Sequence, residues 1–367
     1  YGKINIDTSS KELDNLFLSH KNYYQKELTP EILQSNTTIF LTKKINTFDP
    51  IVVSGGRNIR YKNDIALLSQ RIDKKKIELF LPQTSADLLN VDNNIYIQKS
   101  QQGGGSPIIR GFATNRILLV VDGVRMNTAI FRSGNVQNVI SIDPYTVEST
   151  DLIFGPSSQF YGSDAIGGVL NFTTINPKFS EEGVTLKTKN NFRFSSANNE
   201  NTYHTQFQLS GRKIASITSF TYSKFGDLRI GKKGNEVYGR PDYISTENQL
   251  DTIIPNSDES IQINSGYSQK NFLHKISFKP NSNLRVNYNF HYSESSNIPR
   301  YDRLIERDES NKLYHAEWYY GPQTWMMNNL ALKYTKKHVL FDRIKSTIAH
   351  QKFVESRNTR AIYSSNL

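Results

Sequence analysis

The chain has no cysteine among its 367 residues, so disulfides and thiolate metal sites are excluded. No apolar run approaches the ~18 residues that a transmembrane helix needs. Mean hydropathy is −0.56, a value usually met in water-soluble proteins. A membrane barrel escapes that test, because its strands alternate polar and apolar residues. There are only 2 Trp, 3 Met and 7 His, and residues 51–178 contain no His. Neither a Ser/His/Asp order nor an HExxH run nor a paired-carboxylate cleft stands out, so the sequence does not read as an enzyme. The net charge is +11, yet the only tight basic cluster is Lys74-Lys75-Lys76. That is too short for a nucleic-acid module, and anionic lipid or an anionic ligand is the expected counterpart.

What is present is β-grammar. Ile117–Val121 (ILLVV) reads as a strand buried on both faces, and Asp122-Gly123 as a tight turn directly after it. Ile108-Ile109, Val147–Phe154 and Val169–Thr173 read as further strands, punctuated by Gly111, Gly155-Pro156, Gly162, Gly167 and Gly168. Ser157–Tyr161 has room for one helical turn. Lys74–Leu81 has helical periodicity ended by Pro82. Thr84 is placed to cap a second short helix, Ser85–Leu89, with Asp87 in its first turn. Gln101–Ser106 (QQGGGS) is a flexible turn. It lacks the spacing of a phosphate-binding loop.

From residue 179 the texture changes. Residues 184–194, 202–210, 215–224, 271–278, 284–292, 326–334 and 340–351 are aromatic-rich segments of period two. Seven such segments, parted alternately by short turns and by the long polar stretches 226–262 and 293–316, carry the strand signature of an outer-membrane barrel. The short turns 211–213, 280–283 and 336–338 are expected at the periplasm and the long stretches outside.

The pieces Ile109-Arg110-Gly111, Val121-Asp122-Gly123-Val124 and Gly155-Pro156-Ser157-Ser158 through Tyr161-Gly162-Ser163 to Ala165-Ile166-Gly167-Gly168-Val169 resemble the plug domain of TonB-dependent outer-membrane transporters. The resemblance implies a mainly β protein: an α+β plug inside an antiparallel transmembrane barrel of roughly 22 strands. About seven of these are expected in this stretch, which therefore reads as a fragment. The expected layout is residues 1–46 as the trailing part of a carboxypeptidase-regulatory-like β-sandwich of Bacteroidetes type. A TonB box and linker follow at 47–57, then the plug at 58–178 and barrel strands over 179–367. Asp49, Pro50, Ile51, Val52, Val53 and Ser54 resemble the TonB box, a segment able to add to a partner's sheet edge. A plain linker strand is the alternative.

The resemblance implies energised import with no covalent chemistry and no intrinsic cofactor. Its partners would be a TonB-type energy-coupling protein with its inner-membrane motor, and outer-membrane lipid of a Gram-negative cell. A surface lipoprotein or haemoprotein is a further candidate partner, and no nucleic acid is expected. Arg110, Glu148 and Asp151 are the expected members of an ionic network holding the plug. Phe131, Arg132 and Asn135, in the polar run 128–138, and His315 are the expected ligand-facing residues. His204, His274, His291, His338 and His350 read as lumen- or turn-facing. Asn297–Leu304 (NIPRYDRL), Trp318–Gln323 (WYYGPQ), Phe353–Arg360 (FVESRNTR) and Phe112–Leu118 resemble the haem-receptor branch, which favours haem as cargo. A ferric siderophore, cobalamin or another nutrient stands beside it, as does a surface adhesin without energised transport.

Overall fold

The computed structural model describes residues 16–20, 23–28, 39, 41, 51–53, 59–61, 68–126, 139–231, 238–248 and 250–364. The chain divides into two units, Tyr1–Pro50 and Ile51–Leu367. In the first, Leu16–His20 pairs antiparallel with Tyr23–Leu28.

The second unit begins with a strand, Ile51–Val53, paired antiparallel with Ile59–Tyr61. A five-stranded sheet follows, in the order Ser69–Asp73, Val147–Phe154, Gly168–Thr174, Ile117–Val121, Val124–Arg125. Ile117–Val121 runs parallel to Gly168–Thr174 and is buried at every position, as its unbroken apolar run predicts. Asp122 and Gly123 both take positive φ, 50° and 83°, which the tight hairpin turn requires. The helix Lys74–Phe80 is capped by Asp73 and ends on Leu81 in the left-handed conformation, just before Pro82. Thr84 and Asp87 form a capping box on Ser85–Leu89. One helical turn, Ser158–Tyr161, sits where the sequence leaves room for it.

Seven long strands then form one antiparallel meander: Thr185–Ser195, Glu200–Ser210, Ile214–Phe225, Tyr267–Phe278, Leu284–Ser295, Thr324–Thr335 and Arg343–Val354. They are the seven period-two segments, each displaced or lengthened by a few residues. Every pairing is between chain neighbours, so the sheet is an open wall. Short connections, 211–213, 279–283 and 336–342, lie at one end, and long ones, 226–266 and 296–323, at the other. The wall's two faces follow residue parity. In the third strand Ala215, Ile217, Ser219, Thr221, Ser223 and Phe225 are buried, while Ile214, Phe220 and Tyr222 face outward. The outward set continues with Phe192, Phe194, Tyr203, Phe207, Leu209, Ile276, Leu330 and Ile348, all exposed. Large side chains exposed in a continuous band are costly in water and stable against lipid.

The inward face holds the smaller sheet. The main core joins Ile72, Leu88, Ile117, Leu119, Leu152 and Phe172 of the small sheet and its helices to Phe225, Tyr267, Ile298, Trp325 and Met327 from the wall and its loop.

Candidate functional site

The site is the seam between the small sheet's domain and the wall. Its centre is the Asp122 turn. The Asp122 carboxylate is buried and lies 2.8 Å from Lys275 Nζ and 3.1 Å from His291 Nε2. The Thr174 N–H donates to it at 2.9 Å and the Thr174 hydroxyl at 2.7 Å. Burial alone would raise its pKa, but Lys275 and His291 beside it hold the carboxyl well below the usual range. Lys275 Nζ also donates to Thr174 O and to Asn176 Oδ1. One wall lysine therefore holds both the hairpin turn and the end of the central strand.

A second contact lies at Asp143. Its carboxylate caps the turn Pro144–Thr146 and accepts from the Thr221 hydroxyl of the wall at 2.5 Å. His204 Nδ1 is 2.7 Å from the same hydroxyl, and its ring stacks on Tyr145 at 4.9 Å. Burial pushes the Asp143 carboxyl up. Asp122 and Asp143 thus face the wall in opposite electrostatic settings.

Arg193, from the first wall strand, donates to Leu81 O and Pro82 O at 3.0 Å, pairs with Glu200, and lies over the Tyr145 ring. Gln269 donates to Ile140 O at 2.7 Å and Gln351 to Arg125 O at 2.7 Å. Near the long connections, Gln102 Nε2 donates to Gly226 O at 2.9 Å and Ser265 O at 3.1 Å, the two ends of one loop, and Gln102 Oε1 accepts from Asn198 Nδ2 at 2.5 Å. Gly103 makes this approach feasible: a Cβ there would lie 2.7 Å from Ile298 Cγ2 and 3.0 Å from the Tyr267 ring.

Above the wall, three strands form one sheet: Ile298–Pro299, His315–Tyr320 and Arg357–Ala361. They come from the three outer runs that resemble the haem-receptor branch, far apart in sequence and adjacent here. Trp318 is buried between guanidinium groups, Arg300 at 4.7 Å and Arg357 at 4.8 Å from its ring. Arg360 pairs with Asp251 of the neighbouring loop at 2.6 Å and with Glu317 at 3.0 Å, tying the loops together. These hydrogen bonds and ion pairs hold the Asp251 carboxyl well below its ordinary range.

The expected site residues distribute unevenly over this arrangement. Ile51, Val52 and Val53 form the paired strand already described, and Asp49, Pro50 and Ser54 lie outside the described residues, as do Phe131, Arg132 and Asn135. Arg110, Glu148 and Asp151 are not brought together. Arg110 is exposed, with its guanidinium 5.7 Å from the Phe154 ring, Glu148 pairs with Lys74 at 3.2 Å, and Asp151 lies 3.4 Å from Arg71. Glu148 and Asp151 lie on the strand Val147–Phe154, between two others of the small sheet, and pair with residues of their own domain, while the Glu148 charge also acts on Lys275 of the wall. The wall is met by Asp122, Asp143, Gln83 and Gln102 instead.

His315 is half-buried, 3.4 Å from Glu306 Oε2, with Tyr314 edge-on at 4.7 Å. Burial lowers its pKa. Among the described residues no three His, Asp or Glu side chains cluster as metal ligands. His204 and His291 face inward as expected. His274 and His350 do not: both occupy outward parity positions, and His274 Nδ1 lies 2.8 Å from the Thr218 hydroxyl. Parity counted from Tyr267 and Trp325 would have separated the two sets.

A family model described as the TonB-dependent receptor plug domain matches residues 62–169. A vitamin B12 transporter of Vibrio vulnificus is 34% identical over 147 residues, 39% of this chain and 23% of that protein. A hemin receptor of Yersinia pestis is 28% identical over 149 residues, 40% of this chain and 21% of that protein. The matched segments thus span under a quarter of these relatives' lengths. Among solved structures, the Serratia marcescens hemophore receptor in complex with its hemophore and heme superimposes with a TM-score of 0.57 at 16% identity. The match covers 81% of this chain and 39% of that one. At that identity the likeness speaks to fold alone.

Proposed function

We propose that this chain, which belongs to the TonB-dependent outer-membrane receptors of Gram-negative bacteria, contributes the plug and seven wall strands of a transporter that imports a ligand across that membrane. The observation that carries the reading is the seam. A domain whose apolar core runs on into the wall at Phe225, Tyr267, Trp325 and Met327 otherwise meets the wall's inward face through hydrogen bonds and a few ion pairs. Such contacts exchange with water at modest net cost, about 0.5–1.5 kcal/mol each for hydrogen bonds. A plug so held can shift under force without unfolding its centre.

The point of pull is the Ile51–Val53 strand, a sheet-forming segment that a TonB-type partner can take up by strand addition. The nearest strand of the small sheet, Ser69–Asp73, is an edge strand paired only with Val147–Phe154. Tension entering from residue 53 therefore reaches an edge strand before the central ones. The central strands, held to the wall through Asp122 and Thr174, lie beyond it.

For the cargo, the gathering of the three haem-branch runs into one outer sheet favours haem or a haemoprotein. The loop residue His315 is the candidate to test as an axial ligand. The 34% identical B12 transporter keeps cobalamin as the second reading.

Cells expressing the complete protein are expected to take up one of haemin, cyanocobalamin or a ferric siderophore in an energy-dependent way. Deleting residues 47–54 is expected to abolish uptake while surface binding persists. Unchanged uptake after that deletion would contradict energised import, and binding without uptake by the unaltered protein would favour an adhesin.

A further inference from the structure

The inward face of the last three wall strands carries a charge pattern that the seam does not use. The odd-numbered positions of Leu284–Ser295, Thr324–Thr335 and Arg343–Val354 face inward, as the plug contacts of His291, Trp325 and Gln351 show. Along these positions the only charged residues are Arg285, Lys333, Arg343 and Lys345. All four are cations, and all sit at the end with the short connections, expected to face the periplasm. The outward positions beside them, among them Val286, Leu332, Tyr334 and Ile344, are uncharged.

Register sets the four together. Arg285 stands opposite Lys333, and Lys333 opposite Lys345. Like charges directly opposite one another destabilise a sheet. Arg343 is the diagonal neighbour of Lys333, at roughly 7–8 Å. The charged groups acting on the Lys333 ammonium are Arg343, Arg285 and Lys345, all of its own sign. None of the four has an ion pair or a side-chain hydrogen bond among the described residues. The Arg285 guanidinium lies 4.9 Å from the Phe179 ring, on the segment joining the plug to the first wall strand. The row stands where the plug's cover of the wall ends. Asn289 and Asn329 are buried, Asn287 and Ala331 half-buried, and Arg285 and Lys333 exposed. Neither polar atom of the buried Asn329 amide has a hydrogen-bond partner among the described residues. An unpaired buried amide costs free energy. With the four unneutralised cations it marks a polar track from beneath the plug to the short-turn end.

We propose that this row is a second cargo site, beyond the plug, which takes the carboxylates of an imported molecule bearing two or more of them as it leaves. Three cations on neighbouring strands span about 10 Å, more than one anionic group fills. Arg285 offers a planar fork of donors that suits one carboxylate, and Lys333 and Lys345 act as point charges for another. Repulsion across the register is relieved when anions lie between the heads. The proposal rests on the reading of the chain as an importer and adds that its cargo is a polycarboxylate.

The test uses the complete protein in phosphatidylcholine nanodiscs, with Ala331→Cys carrying an environment-sensitive fluorophore beside the row. Citrate is the polycarboxylate probe, and acetate at equal ionic strength its control. Citrate is expected to change the fluorescence saturably, and acetate is not. R285Q/K333Q/K345Q is expected to weaken citrate binding about tenfold or more, through the loss of charge-assisted contacts. Each single variant is expected to weaken it about threefold, which keeps the test decisive if the triple variant folds poorly. K279Q/K336Q/K337Q removes equal charge from turns at the same end and is expected to change it less than about twofold, since salt screens distant charges. Neutralising a row of like charges is expected to leave thermal stability equal or higher. A loss of stability in the triple variant, with no citrate response in the unaltered protein, would mean that acidic groups elsewhere in the complete protein hold the row, and would overturn the proposal. Equal citrate binding by the unaltered and triple-variant proteins would do the same, as would an equal loss in the turn control. The molecule that cells import is expected to displace citrate, and an imported molecule that does not displace it would overturn the assignment. Deleting residues 47–54 is expected to leave the citrate response unchanged, so a failure of import and a failure of this site are read separately.

Discussion

The plug's interior and its seam with the wall differ in chemistry, and the difference explains how one chain can be both stable and movable. Inside the small sheet the contacts are Ile, Leu, Val and Phe, packed dry: Ile117, Leu118, Val121, Leu152 and Phe172 are each fully buried. Across the seam the wall offers mostly Ser, Thr, Asn, Gln, His and Lys, and the plug's core runs on into it only at Phe225, Tyr267, Trp325 and Met327. A dry core is close-packed and loses several kcal/mol when a side chain is cut back. A polar seam loses little per contact and recovers it with water. The plug is therefore built to hold its own shape more tightly than it holds its place.

Substitutions should separate the two in order of size. Phe172→Ala cuts the dry core and is expected to cost about 3–5 kcal/mol, seen as loss of the plug's protease resistance. Asp122→Ala leaves Lys275 buried without its carboxylate. A similar cost, about 3–5 kcal/mol, is expected at the seam, read as faster hydrogen exchange of Ile117–Val121. On the lipid side, Phe220→Lys is expected to cost about 2–4 kcal/mol in reversible barrel folding without altering the plug. The smallest change is Glu78→Gln, which breaks an exposed pair with Lys189 and is expected to move stability by under about 1 kcal/mol. Equal effects of Phe172→Ala and Glu78→Gln would erase the distinction between core and seam.

The two seam carboxylates sharpen it further, because their signs differ. The Asp122 pKa is depressed on folding, so its contribution is complete above the ordinary Asp value of about 3.9 and is lost as pH falls from there toward its folded value. The Asp143 pKa is raised, so its carboxyl favours the folded seam when protonated, and that gain fades as pH rises through the raised value. Asp122→Asn should remove the acid-side loss of stability, and Asp143→Asn the alkaline-side one, in hydrogen-exchange titrations of the seam.

Much of this architecture was legible in the residues. The ILLVV run, the Asp-Gly turn, the Thr84 cap and the seven period-two segments are local signals, and each element formed where its signal lay. Lys275 shows what was not legible. Its parity places it on the inward face, but its partner Asp122 is 153 positions away and is brought there only by the packing of one sheet against another. Arg110, Glu148 and Asp151 show the same limit: charge type names candidates, while strand order decides which neighbours they meet. The outer three-stranded sheet was foreshadowed only as three separate motifs. Nothing local says that residues 299, 319 and 358 become neighbours.

The placement of the plug on the wall's inward face is tested most directly by cross-linking, helped by the absence of cysteine from residues 1–367. Ile140→Cys combined with Gln269→Cys is expected to join efficiently under a short thiol reagent in intact membranes. Ile140→Cys with the outward neighbour Lys270→Cys is expected to stay unlinked. Equal yields for both pairs, or a preference for residue 270, would contradict the account.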